Sequence, residues 1–89
     1  MITLKGLPGT NGKEIKSNMV RSRTAAISSL RSGVPATLAN DNGAINLWKD
    51  DAGKWRCSFQ RRMCEIDKQT FAALSKVNQW LKKWMPQML

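Results

Sequence analysis

The 89 residues carry fifteen Lys and Arg against six Asp and Glu, with no His, for a formal charge of +9. A chain this short buries about two thirds of the surface its unfolded form exposes, so one small core is all it can build. No apolar run reaches the roughly twenty residues that span a bilayer, and Met1-Ile-Thr-Leu-Lys5 lacks the layout of a cleaved signal, so a cytoplasmic protein with no membrane partner is expected.

Residues 1–12, with Gly6, Pro8, Gly9 and Gly12 closely spaced, carry turn signals and no sustained period, and read as a flexible arm. Residues 13–33 read as a basic helix. Ile15, Met19, Ala26, Ile27 and Leu30 recur at roughly helical spacing, Asn11 and Glu14 resemble a capping box, and Gly33 and Pro35 end the run. Lys16 and Arg23 interrupt its apolar arc. Residues 34–42 read as a linker.

Residues 43–89 read as a domain of three strands and a helix. Over 44–49, Ile45 and Leu47 alternate with Asn46 and Trp48, and Asp50-Asp51-Ala52-Gly53 forms a turn. After it, Trp55, Cys57 and Phe59 point one way while Lys54, Arg56, Ser58 and Gln60 point the other. Arg61 and Arg62 occupy the next turn, and a third strand over 64–70 carries Cys64 and Ile66 towards the core. From Phe71 the period changes: Phe71, Leu74, Val77, Leu81, Trp84 and Met85 share a helical stripe opposite Lys76, Lys82 and Lys83, until Pro86. The expected fold class is α+β, an N-terminal helix followed by a three-stranded antiparallel sheet packed on a C-terminal amphipathic helix.

In that arrangement the sheet face away from the helix presents Asn46, Trp48, Lys54, Arg56, Ser58 and Gln60, with Arg61 and Arg62 at the rim. Arg and Lys can reach guanine edges in a major groove, Asn and Gln can reach adenine, and Ser can hold phosphate. Lys13, Lys16, Arg21, Arg23 and Arg31 would contact phosphates from the basic helix. The same alternation also serves simply to solvate a free sheet face. Trp48 is the exception, since a large aromatic on a wet face needs a partner such as a sugar, a base or the N-terminal segment.

Gly53-Lys54-Trp55, then Thr70-Phe71, Val77 and Trp80-Leu81, stand at spacings that resemble the three-strand-plus-helix DNA-binding domains of phage integrases and of the plant ethylene-response type. The resemblance covers residues 43–85. It implies a sheet face docked in the major groove of double-stranded DNA, and it implies no recombination activity. Ala73 and Val77 depart from the Thr and Ala usual in that family.

Cys57 and Cys64 are too few for a disulfide framework and match no zinc spacing, so reduced thiols and no metal are expected. Asp50 and Asp51 suit a turn, and Glu65 and Asp67 are read as flanking strand and helix ends. With no nucleophile–base pair and no glycine-rich phosphate loop, neither an enzyme, a cofactor nor a small-molecule substrate is expected. The leading expectation is a small DNA-binding accessory or regulatory factor of bacterial or phage type. The alternative is a phage-encoded modulator or inhibitor of a host DNA-processing or transcription enzyme, bound as a host protein complex through Trp48, Met85 and Met88.

Overall fold

The computed structural model describes residues 1–88. Its elements are β1 (Ile2–Lys5), β2 (Glu14–Met19), α1 (Arg23–Arg31), β3 (Ala36–Asn40), β4 (Gly43–Lys49), β5 (Trp55–Arg61), β6 (Cys64–Phe71) and α2 (Leu74–Met88). The six strands form one mixed sheet in chain order; β2 and β3 run parallel across α1, and every other neighbouring pair is antiparallel. The fold is α+β, and the expected N-terminal helix followed by a three-stranded sheet is corrected in three places; besides these, Phe71 ends β6 instead of opening the last helix, and α2 runs through Pro86 to Met88.

The stretch expected as an arm contains β1. The helix expected over 13–33 is instead a strand, β2, followed by the nine-residue α1, and the linker contains β3. Ile15 and Met19 misled because residues four apart share a face in a strand as well as in a helix. The real helix start is Ser22, whose hydroxyl accepts from the Ala25 N–H at 3.1 Å. Its end is set by Gly33 at φ 81°: the Val34 N–H donates to the Ser29 carbonyl and the Gly33 N–H to Leu30, the paired bonds of a left-handed helix stop.

Both helices lie on one face of the sheet. There Ala26 and Leu30 of α1 and Val77, Trp80 and Leu81 of α2 bury Ala36, Leu38, Ile45, Leu47, Cys57 and Phe59. Each of the larger apolar side chains removed from water contributes about 1.5–3 kcal/mol. An irregularity in the ladder at Phe59/Gln60 shifts the β6 register, so Asp67 stands opposite Phe59 and Gln69 opposite Cys57. Cys64 and Ile66, expected to point into the core, are exposed, Ile66 because it falls at the irregularity and Cys64 because its rung with Arg61 is the last of the sheet, and Asp67 faces the helices. One Asp67 oxygen, Oδ2, accepts the indole N–H groups of Trp80 at 2.8 Å and Trp84 at 3.0 Å. Asp67 thus ties β6 to α2 instead of merely flanking an element end.

Candidate nucleic-acid interface

The register places Ser17, Thr37, Asn46, Trp48, Arg56 and Ser58 on the sheet face away from the helices. That face is not an open platform. Ser17, Thr37 and Ser58 are buried, and Trp48 is 1% exposed. The Thr37 hydroxyl donates to Asn46 Oδ1 at 2.8 Å, so its single proton is used and Ser17, 2.8 Å away, must donate to it.

The β1–β2 loop closes over the end of this face where β4 turns into β5. Trp48 Nε1–H donates to the Pro8 carbonyl at 2.9 Å, and the Asp51 N–H donates to the Gly9 carbonyl at 2.8 Å. Of the partners expected for Trp48, the one present is the N-terminal segment. Asp50 is buried beneath the loop and accepts from Arg56 Nε at 2.8 Å and from the backbone N–H groups of Lys54 and Ala52. The Arg56 hydrogen bond foremost, then that from Lys54, holds the Asp50 carboxyl below its ordinary range.

Of the residues expected to read bases, Trp48 and Ser58 are thus buried, Asn46 is held by Thr37, and Arg56 is held by Asp50. Lys54, Gln60, Arg61 and Arg62 are exposed. Of those expected on phosphates, Lys13 lies 3.6 Å from Asp51, and Arg23 donates to Asn78 Oδ1 at 2.7 Å. Lys16, Arg21 and Arg31 are exposed but sit on β2, before α1 and at its end, not along one helix.

Of the exposed groups, Lys54 sits in the β4–β5 turn and Lys16 and Arg31 lie towards that turn, whereas Arg21, Gln60, Arg61 and Arg62 lie at the opposite end of the sheet. The turns β3–β4 and β5–β6, the start of α1 and the end of α2 all lie there, as strand directions require. Arg21 lines a cleft of about 360 Å³ there with Leu38, Asn40, Met85 and Met88. Arg61 donates to the Gln87 carbonyl at 2.9 Å, bracing the β5–β6 hairpin against α2.

The ladder closes at Arg61 opposite Cys64, leaving Arg62 and Met63 as a two-residue loop. Both have positive φ, 50° and 69°. Such a loop favours Asn-Gly, and each non-glycine residue held there costs on the order of 1–3 kcal/mol. Met63 is 100% exposed. The turn expected at Arg61 and Arg62 falls one residue later, at Arg62 and Met63, and its left-handed conformation has no residue-type signal, since Arg-Met is not a turn dipeptide.

Cys57 is buried and Cys64 exposed; they pair with Gln69 and Arg61 respectively, not with each other. Burial foremost, with the charge of Asp67, pushes the Cys57 thiol up to about 12, so it stays protonated and inert. Among the described residues no three His, Cys, Asp or Glu side chains cluster to hold a metal ion, and no helix is long and apolar enough to cross a membrane. No family model, no curated protein and no solved structure matches the chain.

Proposed function

We propose that this protein is a small duplex-DNA-binding accessory or regulatory factor, acting in the cytoplasm of a bacterial host, with its contact surface at the β5–β6 end of the sheet. The observation that carries the reading is charge left uncompensated. Among the described residues, Lys13 and Arg56 are the only cations in salt-bridge contact with a carboxylate, out of fifteen in the chain. Such a surface draws a polyanion by long-range attraction and by release of its condensed counterions.

Arg21, Arg61 and Arg62 supply phosphate contacts at that end, and the N-terminus of α1 opens beside Arg21, where its backbone dipoles favour an anion. The resemblance to integrase-type domains rests on β4, β5, β6 and α2, a unit to which β1–β3 and α1 are added here. Its major-groove sheet face is replaced in this proposal by the sheet's end, because Trp48, Ser58 and Arg56 are occupied internally. No catalytic step is part of the proposal.

The second reading, a protein-binding modulator, is favoured by β6, an unpaired edge strand with six of eight residues exposed, which a partner strand could extend. Fluorescence anisotropy with a labelled random duplex decides between them. The double variant Arg61→Ala/Arg62→Ala should weaken binding about tenfold or more, whereas Lys54→Ala, at the other end of the sheet, should leave it nearly unchanged. Equal losses from both variants would remove the assigned surface. No binding by the wild type near physiological salt would favour the protein target.

A further inference from the structure

We infer that Met63 is a wedge that enters a base step of duplex DNA from the minor groove and kinks it, an inference that rests on the DNA-binding reading above. Four observations converge on this side chain. It is the most exposed of the large hydrophobic residues. It lies beyond the last paired rung of the sheet, so nothing in the described fold stands between it and a ligand. It is held there in a left-handed backbone conformation that glycine would adopt without strain. The base of its hairpin is tied to the end of α2 by the hydrogen bond from Arg61 to the Gln87 carbonyl.

An exposed, strained methionine gives the folded chain nothing, so its use lies in what it meets. The neighbours select the partner. Arg61 and Arg62 precede Met63, and a minor groove attracts arginine through its negative potential. The groove is about 6 Å wide, enough for one unbranched side chain with guanidinium groups on the flanking phosphates. Methionine is among the residues that unstack a base step in this way, and the kinks produced are on the order of 20–90° towards the major groove. A protein-binding anchor would instead call for an apolar surround, whereas the exposed neighbours here are Arg61, Arg62, Cys64 and Glu65, with Ile66 the one apolar side chain exposed further along β6.

The test measures end-to-end distance by energy transfer in a duplex of about thirty base pairs carrying a dye at each end, with the full chain added to saturation. The wild type should bring the ends together. Met63→Gly should bind within about tenfold of the wild type yet leave the duplex straight, and Met63→Leu should restore the bend. Because glycine suits the turn, Met63→Gly should melt at or above the wild-type temperature, so lost bending cannot be lost folding. A Met63→Gly complex bent like the wild type, or a wild type that binds without bending, would overturn the wedge while leaving DNA binding intact. Failure of the wild type to bind any duplex would overturn both.

Discussion

The two ends of β5 are built on opposite terms. At its start, the turn from Asp50 to Lys54 is closed by hydrogen bonds to the Asp50 carboxylate, sealed by the Pro8–Thr10 loop, and backed by Trp48. At its finish, two non-glycine residues are held at positive φ, and the apolar one, Met63, is bare to water. Both turns join antiparallel neighbours in the same sheet. One end satisfies its polar groups internally, and the other leaves Arg62 and Met63 to the outside.

Four experiments put this contrast at risk. Trp48→Ala should have the largest effect, a loss of about 3–5 kcal/mol in denaturant unfolding, because it empties a buried site and frees the loop. A loss under about 1 kcal/mol would mean that the loop does not seal that end. Gly9→Ala should cost about 1–3 kcal/mol in the same assay, since Gly9 has φ 78° and an added Cβ would lie 2.6 Å from Asp50 Cβ. At the other end the sign reverses: Arg62→Asn/Met63→Gly should raise stability by about 1 kcal/mol by supplying the residues this turn favours.

The smallest contrast lies in acid. The Asp50 carboxyl is held down in the folded protein, so its contribution is present above the unfolded value near pH 4 and is lost as pH falls through the folded value. Asp67 behaves the same way: burial pushes it up, but the hydrogen bonds led by Trp80 and Gln69 outweigh burial. Asp50→Asn should therefore be less stable than the wild type at pH 7, with the gap narrowing below about pH 4 as measured by thermal melting.

The sequence made some of this legible. Ile45, Leu47, Cys57 and Phe59 are buried as their alternation requires, and Val77 and Leu81 face the sheet as their helical spacing requires, joined by Trp80, which the expected stripe left out. Those patterns are readable because one face is apolar and the other is not. The strands β1, β2 and β3 were hidden for different reasons. Ile15 and Met19 fit two periods at once, and Ala36-Thr-Leu-Ala-Asn40 has too little bulk to announce a strand. The inward parity of β6 depended on an irregularity at Phe59/Gln60 that no residue type marks.

The site was legible only in part. Charge pointed to a polyanion, and alternation placed Asn46, Trp48, Arg56 and Ser58 on one face. What alternation could not supply was that a glycine-rich loop folds back over Trp48 and that Asp50 captures Arg56. Both are contacts between residues distant in the fold's layout, or set by backbone turns, with no periodic trace.

The most direct test of the account is the salt dependence of duplex binding, measured as log K against log salt concentration for the wild type and for Arg61→Ala/Arg62→Ala. With about five phosphates neutralised, the wild-type slope should be about −4 to −5, and the variant should lose about two units of it. A wild-type slope near zero, or a variant slope equal to the wild type's, would contradict the claim that the uncompensated cations at the end of the sheet hold DNA.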